Sequence, residues 1–183
     1  MSEIDLGSGV VARPFRESDA VAVFAAVDAE RSRLGEWMPW VWVSTTLDDS
    51  RRFVEDAERR LADGTAVHWG LFEGERVVGA VGAGIDLLNR VAEVGYWIAD
   101  DKQGLGLVTR TMRALIGELF EKGLHRLVIH AAAGNERSIA VAERLGFTYE
   151  GTEREALRMG EQVHDSVVHG LLRREWENAR NGQ

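Results

Sequence analysis

The chain has no cysteine, only two prolines among 183 residues, and no apolar run approaching the roughly 20 residues that cross a bilayer. Without cysteine there is no disulfide scaffold, no thiolate zinc site and no covalent cysteine mechanism. Positive charge is also scarce: 22 Lys and Arg face 30 Asp and Glu, for a net charge of −8. That balance argues against nucleic acid as a main partner, because neutralising phosphates needs clustered Lys and Arg. The first residues include Glu3 and Asp5 and lack the basic and apolar regions of a signal peptide. The reading is a cytoplasmic protein with no membrane partner, and one domain over residues 1–183 with a core from about 10 to 176 and a polar tail at 177–183.

What charge there is has a gradient. Residues 1–99 carry net −7 and residues 100–183 net −1, so a polyanionic ligand suits the second half and a cationic one the first.

The most informative stretch runs from Val94 to Thr109. The apolar run Val94-Gly95-Tyr96-Trp97-Ile98 reads as the end of a strand and leads into an acidic turn, Asp100-Asp101. Gly104 and Gly106 then open a helix whose apolar positions, Val108, Met112, Leu115, Ile116 and Leu119, recur at helical spacing. A Ser, Thr, Asp or Asn would normally cap such a start. Bare N–H groups at the positive end of a helix dipole, with no Cβ in the way, can seat an anion such as a pyrophosphate.

Around this stretch the pattern alternates. Val10–Phe15 reads as a strand, and Ser18 and Asp19 as caps of a helix to about Asp28. Leu34–Trp42 holds three tryptophans and a proline, and aromatics gathered in a loop can wall a pocket; Trp37 and Trp40 are the candidates for contact with a substrate. Thr46 to about Ala62 reads as an acid-started helix. Ala66–Phe72, Arg76–Ala83 and Val91–Ile98 read as an antiparallel meander with a hairpin signal at Glu73-Gly74-Glu75. After the glycine-opened helix comes the buried strand Arg126–Ala132, so that a βαβ unit makes two strands parallel. Asn135 caps a short helix, Phe147–Glu150 begins another strand, and Val163–Leu172 is the last one, with a fraying tail from Trp176. The fold class is therefore α/β (α+β): a mixed, mostly antiparallel twisted sheet with one parallel pair and flanking helices.

Taken together, Gln103-Gly104-Leu105-Gly106-Leu107-Val108, the helix and strand after it, and Asn135-Glu136-Arg137-Ser138 through Gly146-Phe147 resemble motifs A and B of the GNAT N-acetyltransferases. The Gly-Tyr-Trp strand end, the Trp-Met-Pro-Trp loop and Glu150-Gly151-Thr152 resemble the RimJ/RimL branch, whose members acetylate protein N-termini or small amines. The resemblance spans residues 10 to 176. It implies the GNAT fold and acetyl-CoA, or another acyl-CoA, as co-substrate. Backbone N–H groups from Gln103 to Thr109 would hold the pyrophosphate, with Lys102 and Arg110 adding charge. The pantetheine arm would lie along Tyr96, Trp97 and Ile98, and Asn135 and Ser138 would face it from the other side. Relatives are often homodimers. The family usually has Gly or Ala where this chain has Val108, whose side chain either crowds the phosphates or turns into the core.

Transfer to an amine needs a neutral nitrogen, a stabilised oxyanion and help for the departing thiolate. An α-amine with a pKa near 8 is about one-tenth neutral at pH 7, so an N-terminal acceptor demands little of a base. Glu93, in the strand before the glycine loop and expected to be buried, is the candidate base, directly or through water; Glu155 is the second. Many family members place a tyrosine in motif B as the acid, but Ala142 stands there, which leaves Ser138 as the acid or hydrogen-bond donor. His68, His125, His130, His164 and His169 show no metal-ligand spacing, so no metal is expected. The acceptor stays open between a protein N-terminus and small polar amines such as polyamines or aminoglycosides. A CoA-binding module without turnover is the alternative from a different class, and a nucleotide-binding protein is a third.

Overall fold

The computed structural model describes residues 3–182. Eight strands form one sheet: β1 Ile4–Asp5, β2 Val10–Pro14, β3 Ala66–Glu73, β4 Arg76–Asp86, β5 Val91–Ile98, β6 Arg126–Ala132, β7 Thr148–Met159 and β8 Gln162–Leu172. Their order is β1-β2-β3-β4-β5-β6-β8-β7. Every neighbouring pair is antiparallel except β5 and β6. The helices are α1 Ala20–Ala29, α2 Arg31–Gly35, α3 Leu47–Ala62, α4 Leu107–Glu121, α5 Glu136–Arg144 and α6 Arg173–Asn181. The expected meander, parallel βαβ unit and sheet class are all present.

Local chemistry explains most boundaries. Thr46 caps α3 by accepting the Asp49 N–H, and Asp49 returns the bond to the Thr46 N–H at 2.9 Å, a reciprocal pair that fixes the first turn. Met112, Leu115, Ile116 and Leu119 form the α4 stripe and are fully buried against one face of the sheet. Each such side chain contributes about 1.5–3 kcal/mol on leaving water. A second apolar cluster on the opposite face joins α1, α2 and α3 to Phe15, Phe72, Val77 and Trp97. The alternation of β5 follows from this: Ala92 and Val94 enter the α4 core, whereas Trp97 enters the other.

Two expectations, about the C-terminal tail and about Asp19, are corrected. The tail does not fray from Trp176: residues 173–181 form α6, started by the Leu172 N–H donating to Glu175 Oε2 at 2.9 Å. Trp176 packs on Phe120 with ring centroids 6.3 Å apart, so one aromatic docks an otherwise polar helix. Asp19 stands at the N-cap position of α1, but its side chain makes no capping bond to that helix. Its carboxylate accepts two bonds from Arg13, at 2.7 and 2.8 Å, and one from the Arg16 N–H, at 2.8 Å. Those bonds overcome the opposing effect of burial and hold its pKa below the ordinary value.

Gly82 on β4 makes room for His68 on β3, since a Cβ there would sit 2.4 Å from His68 Nδ1. The imidazole meets Phe53 of α3 edge-on at 5.4 Å. Burial, with Arg60 nearby, lowers the His68 pKa to about 4. In the unfolded chain histidine titrates near 6.5, so between pH 6.5 and 4 the unfolded state takes up the proton first. Stability from this group is therefore complete above pH 6.5 and falls as pH drops towards 4, by up to about 3 kcal/mol. Denaturant unfolding from pH 7 to 4 should show that loss in the natural chain and a shallower one in His68→Leu; equal slopes would contradict it.

Candidate active site

The start of α4 carries no side-chain cap. Gly106 is its N-cap at φ +71° and ψ 8°, and Gly104 has φ +75°. Both lie in the left-handed region that glycine enters without steric cost. The free N–H groups of the first turn thus emerge beside Gly106, where no Cβ covers them. Val108 is turned into the α4 core and is buried, which resolves the choice left open for its side chain.

Beside this helix end the sheet parts. β5 and β6 pair only from Val91–Arg126 to Glu93–Val128. In the β4–β5 ladder the Ala99 N–H bonds to Val78 O at 2.8 Å, so the odd residues of β5 bond towards β4. By the same alternation Val94, Tyr96 and Ile98 turn their N–H and C=O groups into the gap. An extended ligand can bond there as an added strand. One of these groups already has a partner: Arg33 of α2 donates to Ile98 O at 2.6 Å.

A cavity of about 1210 Å³ follows the gap through the sheet. On one side it reaches the α4 start and α5, and on the other α2 with Trp37 and Met38. It exceeds the 300–1,000 Å³ of most small-ligand pockets. Its wall holds five basic side chains, Arg33, Lys102, Arg110, Arg137 and Arg144, against two acidic ones, Glu36 and Glu136. A chain of net −8 has concentrated positive charge where an anion would sit. Lys102 contributes less than expected, because its Nζ lies 2.5 Å from Glu73 Oε1. Asp101 is likewise bound by Arg76 at 2.8 and 2.9 Å. Among the described residues, Arg110 and Arg137 bond to oxygens of uncharged groups, Leu6 O and Gln103 Oε1, and keep their charge available.

On α5, Asn135 is the N-cap, accepting the Ser138 N–H at 3.1 Å. The Tyr96 hydroxyl crosses the gap, donating to Ser138 O at 2.9 Å and lying 2.8 Å from Ser138 Oγ. Burial pushes the Tyr96 pKa up to about 12, against the opposing effect of its bond to Ser138.

Of the residues singled out in the sequence, Trp37, Trp97, Ile98, Gln103, Gly104, Gly106, Leu107, Val108, Thr109, Asn135 and Ser138 all line this one cavity. Leu105, between the two glycines, and Trp40 are exposed and lie outside the lining. Trp42, the third tryptophan of that loop, donates from Nε1 to Gly35 O at 2.9 Å and packs over Gly160, a bracing role. Glu93 is not buried as expected: its side chain is 67% exposed, on the sheet face opposite α4, with Oε1 3.4 Å from His130 Nδ1. The apolar neighbours that suggested burial alternate to the other face. Glu155 sits at a bulge of the edge strand β7, at φ +52°, with its N–H donating to Asp165. Arg33 was not among the sequence candidates, and Tyr96 was named there only as part of the strand beside the pantetheine arm. Tyr96 stands at an even position of β5, the parity that faces the α4 core, and its hydroxyl was given no role in the sequence.

A twisted sheet that parts at its single parallel pair, beside a helix opened by glycines, defines an acyltransferase of the GNAT architecture. The family model described as Acetyltransferase (GNAT) domain matches residues 10–148, and the chain belongs to this family of N-acetyltransferases. It is 36% identical to YdaF of Bacillus subtilis (strain 168), provisionally named a ribosomal N-acetyltransferase, over 93% of this chain and 95% of that protein. It is 26% identical to the ribosomal-protein-serine acetyltransferase of Escherichia coli (strain K12), over 85% and 88% of the two chains. The solved structure of RimL, a ribosomal-protein α-N-acetyltransferase in complex with coenzyme A, superposes with a TM-score of 0.87 at 25% identity, covering 93% of this chain and 98% of that one. No helix among the described residues is long and apolar enough to cross a membrane.

Proposed function

We propose that the cavity binds acetyl-CoA and that the enzyme moves its acetyl group to the α-amine of a protein N-terminus. The observation that carries this reading is the continuous, basic cavity from the uncapped start of α4 through the parted sheet to Ser138. Its donor set fits the cofactor: bare N–H groups and arginines for phosphate, and free strand groups on β5 for the pantetheine amides. The CoA complex of RimL and the names of both curated relatives support it.

The pyrophosphate would rest on the N–H groups between Gln103 and Thr109, and the thiol arm would run between β5 and Ser138. The acceptor would enter from the α2 side, past Trp37. Its neutral amine attacks the thioester carbon, and holding the two together supplies much of the rate. Glu93, the last residue of β5 paired before the gap and outside the cavity lining, takes the surplus proton from nitrogen through water, beside His130. Ser138 donates a hydrogen bond to the leaving sulfur.

Thiol release from acetyl-CoA, measured against peptides with free N-terminal Ser or Ala, polyamines and aminoglycosides, tests this. The expected result is release with the peptides, lost when their α-amine is blocked. Release only with polyamines or aminoglycosides would move the acceptor to small amines. Tight CoA binding with no release on any acceptor would overturn the enzymatic reading.

A further inference from the structure

We propose that Tyr96 is a positioning residue for the leaving thiolate: its hydroxyl donates to Ser138 Oγ, which holds the Ser138 O–H towards the sulfur and strengthens that bond. The proposal rests on the reading of the cavity as an acyl-CoA site. It assigns to β5 the tyrosine that the helix α5 lacks, since Ala142 there is buried and carries no hydroxyl.

The geometry allows two proton arrangements. Tyr96 has one hydroxyl proton and two acceptors at nearly equal distance, Ser138 O at 2.9 Å and Ser138 Oγ at 2.8 Å. When the proton lies on the carbonyl, the Ser138 O–H can donate back to Tyr96 and away from a ligand. When it lies on Oγ, the Ser138 O–H is released into the cavity that Ser138 lines. Negative charge on a sulfur in that cavity favours the second arrangement, because it aligns two O–H dipoles in series towards the charge. The carbonyl loses little, because a carbonyl oxygen has a second lone pair for its helical bond.

Tyr96 acts as a donor and keeps its proton. A phenol held near 12 lies more than three pH units above an ordinary thiol near 8.5, so passing the proton to sulfur would be over a thousandfold uphill. The bookkeeping is then complete without a tyrosinate. The C–S bond breaks with its electron pair going to sulfur, the amine proton goes to Glu93 or water, and the sulfur takes a proton from solvent as CoA leaves. The side chain also keeps its place without the hydroxyl, because the ring packs against the α4 core.

The test titrates the thiol of bound CoA by the ultraviolet absorbance of its thiolate, which needs no acceptor. The bound thiol should ionise about one to two pH units lower in the natural protein than in Ser138→Ala, the shift expected of a hydrogen bond to a charged group, and roughly 0.1–0.6 of a unit lower than in Tyr96→Phe, the share that a second bond in series adds. Ser138→Ala and the double variant should titrate alike, since both residues act through one donor. Affinity for CoA below the thiol pKa should stay within about twofold in Tyr96→Phe, and kcat should fall about twofold to fourfold with little change in the KM for acetyl-CoA. Identical titration in the natural protein and Tyr96→Phe would overturn the role of Tyr96 alone. Failure of the natural protein to bind CoA would instead overturn the cofactor reading beneath it.

Discussion

Replacing Gly106 by valine is expected to lower CoA affinity at least about a hundredfold, close to 3 kcal/mol of binding free energy. Gly106 holds φ +71° at the N-cap of α4, a conformation in which a β-branched residue is an outlier costing about 1–2 kcal/mol. If the backbone keeps that conformation, the new Cβ sits 3.2 Å from an Arg110 guanidinium nitrogen, displacing a basic group of the cavity wall. If it relaxes instead towards extended φ, the N–H groups of the first turn rotate away from the seat. Either route removes donors from the anion. The fold itself should lose only a few degrees of melting temperature, because the position packs against no core residue and about 1–2 kcal/mol is worth little in a chain this long. Isothermal titration with CoA beside thermal unfolding separates the two effects. Normal binding by Gly106→Val would mean that the start of α4 is not where the pyrophosphate rests.

The contrast between Gly106 and Glu93 explains how much of the molecule was legible beforehand. Glycine pairs, the α4 stripe, the Thr46 cap and the Glu73-Gly74-Glu75 turn are local signals, in which a residue and its neighbours fix the backbone on their own. The elements around them therefore fell where the pattern put them, and most of the motif residues line one cavity. Glu93 depended on which face of β5 looks at the α4 core, and an apolar neighbourhood in sequence does not say which side of a strand is covered. Trp176 failed for a similar reason: one docking aromatic in a polar stretch leaves no periodicity to read. The Arg33–Ile98 and Tyr96–Ser138 contacts join residues 65 and 42 positions apart, and no single-sequence pattern encodes such a distance. What the sequence could not supply was the pairing across the gap.

Leu115→Ala should have the largest effect on stability. The side chain is fully buried in the middle of α4 among Met112, Ile116 and Leu119, and removing such a leucine typically costs about 3–5 kcal/mol, part of it for the cavity left behind. In a chain of this length that corresponds to a melting temperature lower by roughly 6–20 °C. Its effect on the ligand should be the reverse of that of Gly106→Val. Leu115 lies two turns along the helix from the glycine start and does not line the cavity, so the free N–H groups keep their geometry as long as the chain is folded. Ligand that binds only the folded state adds about 2.7 kcal/mol of stability at a hundred times its Kd. Saturating CoA should therefore raise the stability of Leu115→Ala by nearly as much as that of the natural protein, and that of Gly106→Val by almost nothing. Thermal unfolding of the three proteins with and without CoA reads both quantities in one series. If Leu115→Ala lost the CoA-induced shift as completely as Gly106→Val, the anion seat would depend on core packing along all of α4, and the separation between a glycine-built site and an apolar scaffold beneath it would be wrong.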